Sequence, residues 1–74
     1  MKTSHLVQMA NSIGDFFAAM PDAEEARRDL AMHIQRYWEP RMRRSLFEHI
    51  DRTRGDGLSA IVVQALKQHR AEVG

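Results

Sequence analysis

The chain contains no cysteine. That absence excludes disulfides, thiolate zinc sites, ordinary iron–sulfur ligation and a cysteine nucleophile. No apolar run approaches the roughly 20 residues that span a bilayer. Met1-Lys2-Thr3-Ser4-His5, followed by a polar-interrupted amphipathic stretch, lacks the form of a signal peptide, so the expected location is the cytoplasm. Charge of one sign is not in excess either: 11 basic and 10 acidic side chains leave a formal net charge of +1. No global field then favours nucleic acid or an anionic membrane, and any electrostatic preference must be local. Aromatics are few, with one Trp, one Tyr and three Phe. No stretch alternates like a strand, and there is no internal repeat.

What is present reads as a folded chain: 43% hydrophobic residues, and 28% charged residues too evenly mixed in sign for disorder. Residues 1–74 form one small domain, whose core rarely supplies more than about 3–5 kcal/mol at this length. The expected fold is all-α, a small bundle of four short helices without strands. It should be marginal alone and more stable when docked.

The first helix, capped by Thr3 or Ser4, carries Leu6, Ala10, Ile13, Phe17 and Met20 at three- and four-residue steps, with Met9 and Phe16 widening the stripe. Gly14 costs about 0.5–1 kcal/mol against alanine there, but with Asn11 and Ala18 it gives a low surface for a close helix crossing. Met20-Pro21-Asp22 ends this helix and opens the next, with Asp22 as N-cap and Glu25 as its capping-box partner. Its expected buried stripe is Ala23, Ala26, Leu30, Ile34 and Tyr37, with His33 partly buried at the edge. A third helix runs from Pro40 to about Arg52 with Met42, Leu46, Phe47 and Ile50 inward. His49 and Asp51, two apart, point away from one another on a helix and make no catalytic couple. Thr53-Arg54-Gly55-Asp56-Gly57 is a loop: its Arg-Gly-Asp is accidental, and it has neither a preceding strand nor the Gly-Lys-Ser/Thr of a phosphate loop. Ser59 caps a last helix with Ile61, Val62, Ala65, Leu66 and His69, expected to fray over Arg70–Gly74.

The chain is organised around Tyr37-Trp38-Glu39-Pro40-Arg41-Met42-Arg43-Arg44. Pro40 drives Glu39 out of the helical region yet suits the first position of a new helix. Trp38 therefore stands at a corner, where its ring either clamps the two helices or anchors a partner. Arg41, Arg43 and Arg44 crowd a helix N-terminus whose unpaired N–H groups disfavour cations by about 0.3–1 kcal/mol each when exposed. A broken local rule marks a place to seek a contact. Trp, Tyr and Arg also dominate binding hot spots. Trp38, Arg41, Arg43 and Arg44 are thus the candidate partner-binding residues, and alanine at 43 and 44 is expected to leave the fold intact or slightly more stable. A second expectation is an apolar patch from Met9, Phe16, Val63 or Met32, covered in a complex or by self-association.

No carboxylate pair, Ser nucleophile with a base, metal constellation or phosphate loop stands out, so no catalytic, cofactor-binding or metal-ligating residue is assigned. Without analogy, the residues describe an interaction module. Leu6-Val7-Gln8-Met9-Ala10-Asn11-Ser12-Ile13-Gly14-Asp15-Phe16-Phe17 and His33-Ile34-Gln35-Arg36-Tyr37-Trp38-Glu39-Pro40-Arg41-Met42-Arg43 add to this. Together they resemble the delta subunit of NAD-dependent formate dehydrogenase over nearly the whole chain, and Leu58-Ser59 with Ala65-Leu66 is similar too. Ala60 stands where that family commonly has proline, and the loop Asp51 to Gly57 is more charged than usual.

The resemblance implies a non-catalytic accessory subunit of a cytoplasmic molybdenum- or tungsten-dependent enzyme that oxidises formate to carbon dioxide and passes electrons to NAD. It implies that the metal centre and iron–sulfur clusters lie in other subunits, and that the partner is the large catalytic alpha subunit, whose assembly or stability the chain supports. Two alternatives remain beside it. A nucleic-acid-binding module would use Arg41, Arg43, Arg44, Arg52 and Arg54 on phosphates, against which the acid-mixed remainder of the surface argues. A free-standing enzyme would need a nucleophile–base pair or metal site that the sequence does not offer.

Overall fold

Residues 2–74, those described by the computed structural model, are all-helical, with no strand among them: α1 Thr3–Ala18, α2 Ala23–Tyr37, α3 Pro40–Thr53, α4 Ala60–Gln68 and a one-turn α5, Arg70–Val73. The three expected breaks are present, each made by local chemistry. Asp22, extended at φ −96°, accepts from the Glu25 N–H at 3.0 Å and opens α2. Glu39 is extended and Pro40 occupies the first turn of α3. Arg54 closes α3 in the left-handed region at φ 62°, followed by Gly55 at φ 81° and Gly57 at φ 84°. Side-chain caps are fewer than the sequence promised. Lys2 stands at the N-cap of α1 without a side-chain bond, and the Ser59 hydroxyl at the start of α4 is buried without a partner.

The fraying expected after His69 does not occur. The chain turns at His69 and forms α5, which packs on α2 and buries Val73 to 1% exposure. That one apolar residue, four beyond the cap of α4, gives the last turn something to bury and so holds it in place.

α2 is the central element, packed against α1, α4 and α5, while α3 lies on α1. The core runs through Leu6, Leu30, Ile34, Leu46, Val62, Leu66 and Val73, and it includes Trp38 at 5% exposure. Trp38 is thus buried among core side chains, as the clamp reading expects. α1 and α4 cross closely at Gly14, where an added Cβ would lie 2.8 Å from Val62 Cγ2 and 3.2 Å from Ile61 Cγ2. Asn11, one turn earlier, ties the same crossing: its amide donates to the Gly57 carbonyl at 2.9 Å, and its Oδ1 accepts the Ser59 N–H at 2.8 Å. One α1 side chain thus satisfies the backbone at the entry to α4, where Ser59 does not. The preceding loop is tied by His49, whose ring nitrogen donates to the Asp56 carbonyl at 2.6 Å, and by Thr53, which accepts the Asp56 N–H at 2.9 Å.

The α2 stripe needs one correction. Ala26, Leu30 and Ile34 are buried as expected and Ala31 joins them, but Ala23 and Tyr37 are exposed. Both exceptions sit at the ends of the helix. Periodicity fixes the angle at which a residue leaves the axis, not how far along it a neighbouring helix reaches.

Candidate docking surface

Two surfaces stand out once the helices are placed. The first is an aromatic row across α1 and α2. Phe16 and Phe17 meet edge to face at 5.2 Å between ring centroids, Phe17 meets His33 at 5.8 Å, and His33 meets Tyr37 at 4.8 Å. The helical spacing of His33 and Tyr37 places their rings side by side, and Phe17 bridges to them from the facing helix. Among the described residues, the large apolar side chains left exposed are Phe16 at 73%, Tyr37 at 67% and Met32 at 38%. All three border this row. Two adjoining hollows follow it: one of about 370 Å³ between Ser12, Ile13, Phe16, Phe17 and His33, and one of about 430 Å³ between Phe17, Asp29, Met32, His33, Arg36 and Tyr37.

Of the patch residues expected from sequence, Phe16 and Met32 are exposed, while Met9 and Val63 are half-buried. Tyr37 was expected inside and lies on the row instead. The signal that could have found it is its four-residue spacing from His33 at the last turn of α2.

The second surface is the arginine corner, where the structure divides the candidates. Arg43 Nη1 donates to the carbonyls of Trp38 at 2.6 Å and Gln35 at 3.2 Å. Those carbonyls lie at the C-terminus of α2, beyond its last intrahelical bonds, where the helix dipole is negative. A cation misplaced on its own helix is thus well placed on the preceding one. This half-buried side chain is part of the fold, and the expectation that its removal is harmless does not fit these bonds. Arg41 and Arg44, by contrast, are exposed and have no carboxylate within 4 Å among the described residues. Trp38 lies in the core. Of the four candidates, two therefore face solvent and two hold the corner from within.

Beside Arg44 a groove of about 370 Å³ is lined by Pro40, Arg43, Arg44, Phe47, Arg70, Ala71 and Gly74. On its α5 side Arg70 makes a two-pronged pair with Asp51, Nη1 to Oδ1 at 2.8 Å and Nη2 to Oδ2 at 2.7 Å. Its guanidinium also lies 4.7 Å from the centroid of the Phe47 ring. The Arg70 hydrogen bonds hold the Asp51 carboxyl below its ordinary value, and the same bonds raise Arg70. Asp51, which sequence reasoning discounted as chemistry, thus joins Phe47 in linking α3 to α5 through Arg70. Among the described residues no three His, Asp or Glu side chains gather where they could hold a metal ion, and no helix is long and apolar enough to cross a membrane.

A family model described as NADH-dependent formate dehydrogenase delta subunit FdsD matches residues 5–66, which take in most of α1, all of α2 and α3, and most of α4. No curated protein and no solved structure matches the chain.

Proposed function

The chain belongs to the FdsD family of formate dehydrogenase delta subunits, and from that premise we propose that it is a non-catalytic accessory subunit that docks on the large catalytic alpha subunit and supports the assembly or stability of the complex. The observation that carries the docking reading is the convergence of Phe16, Met32 and Tyr37 on one aromatic row. Rings already packed edge to face lose little freedom on binding, and aromatic side chains are enriched where interfaces bury most. The exposed Arg41 and Arg44 add charged contacts, while Trp38 and Arg43 hold the corner that presents them. In this reading the redox groups lie in other subunits, which is supported by the lack of cysteine, since the chain offers no thiolate to an iron–sulfur cluster. The complex works in the cytoplasm and oxidises formate with NAD as acceptor.

A tagged copy expressed in the native host tests this. The large subunit should co-purify with the wild-type chain and be lost with a Phe16→Asp/Tyr37→Asp double variant whose helical circular dichroism is unchanged. Recovery of the chain without the large subunit, or formate oxidation by the chain alone, would refute the proposal.

A further inference from the structure

We propose that the groove between the first turns of α3 and the short α5 receives an acidic segment of the large subunit, with a carboxylate on Arg44 and an adjacent apolar side chain on Phe47 and Ala71. This rests on the docking reading above and adds the chemistry of what docks. Charge complementarity points to an acidic occupant. Residues 41–54 carry five arginines against two carboxylates, Glu48 and Asp51. Asp51 is already engaged by Arg70, and Arg43 is engaged by the carbonyls of α2. Glu48 makes no ion pair among the described residues, which leaves Arg44 in the groove wall with an unanswered charge. No Asp or Glu lines the groove, and the first turn of α3 has neither an acidic residue nor a side-chain cap. The charged side chains that line the groove are all cationic, Arg43, Arg44 and Arg70; Arg70 is answered by Asp51, Glu39 stands at the adjoining N-cap of α3, and Arg44 is the one left without an ion pair among the described residues.

The floor decides what else the occupant carries. Phe47 lies under the Arg70 guanidinium, which Asp51 holds by two bonds, so the ring and the cation form a fixed shelf. Such a shelf suits a carboxylate with a neighbouring apolar side chain, since Arg44 meets the oxygens and the exposed Ala71 beside the edge of Phe47 covers the carbon surface. A bare phosphate backbone would leave Ala71 uncovered. The α5 wall lies beyond residues 5–66, so this half of the groove is not part of the matched family span.

Affinity of the full chain for the purified large subunit, measured at several salt concentrations, tests the inference. Arg44→Glu should weaken binding about tenfold or more, and Arg44→Ala should flatten the salt dependence. Ala71→Phe fills the groove without changing charge and should weaken binding to a similar degree. Arg28→Glu, at an exposed position on α2 outside the groove, should bind like wild type. Arg44 is exposed, so Arg44→Glu costs the fold little even with Glu48 one turn on, and circular dichroism should show it folded. If both Arg44→Glu and Ala71→Phe bind within about twofold of wild type, a change too small for a lost charge contact, the groove proposal is wrong while the docking reading stands. If the wild-type chain fails to bind at all, the docking reading itself has failed.

Discussion

Replacing Arg43 by methionine should destabilise the domain, although a local reading of α3 gives the opposite sign. Methionine keeps much of the apolar stem and removes the guanidinium, which donates to the Trp38 and Gln35 carbonyls at 2.6 and 3.2 Å. Hydrogen bonds to a charged group are worth about 1.5–3 kcal/mol. The loss is offset by relief of the cation from the first turns of α3, about 0.3–1 kcal/mol. Arg43 Nε is also buried without a partner, so part of the wild-type gain is already spent on desolvation. The net expected loss is roughly 1–2 kcal/mol, and at about 4–8 °C per kcal/mol for a domain of this size the melting temperature should fall by roughly 5–15 °C. Thermal and urea melts followed by circular dichroism at 222 nm measure it, with Arg44→Ala as the control that stays within about 0.5 kcal/mol of wild type. A melting temperature for Arg43→Met equal to or above that of wild type would refute the assignment of this side chain to the end of α2.

Gly14→Ala should also destabilise, by about 1–3 kcal/mol net of the helix-propensity gain, because the new methyl would stand 2.8 Å from Val62 Cγ2. Val62→Ala in that background should recover part of the loss, and a double-mutant cycle with no coupling would contradict the close crossing. The Asp51–Arg70 pair predicts a direction with pH. A carboxyl held below its ordinary value contributes stability that is fully present above the unfolded value of about 3.9 and is lost as pH falls through the folded one. Asp51→Asn should therefore lose less stability than wild type on acidification below about pH 5; parallel pH–stability curves for the two proteins would count against the pair in solution.

What the sequence could determine was local. Proline, an Asx cap and glycines act on the backbone within a few residues, so the helix breaks at Pro21, Pro40 and the Arg54–Gly57 turn were legible without knowledge of the rest of the chain. Periodicity gave the buried face of α3 and part of that of α1, where Leu6 and Ala10 are buried but Phe16 is exposed and Met20 lies beyond the helix, and the absence of bulk at Gly14 marked a crossing without naming the helix that crosses. The resemblance to a delta subunit rested on ordered residues and needed no coordinates. It coincides with the family that matches residues 5–66.

The tertiary structure decided everything that depends on which helix end lies beside which side chain. Arg43 breaks a rule on α3 because it answers one on α2, and only the angle at the Trp38–Pro40 corner brings the guanidinium to those carbonyls. Asn11 caps an α4 turn nearly fifty residues away, and Asp51 finds Arg70 only because α5 folds back to bury Val73. Tyr37 and Ala23 keep the angle of the core stripe but sit at the two ends of α2, where one joins an aromatic surface and the other is exposed. Hydrogen-bond reach and helix overlap are properties of relative position, and a linear pattern carries angle and local dihedral preference but not the length over which two elements meet.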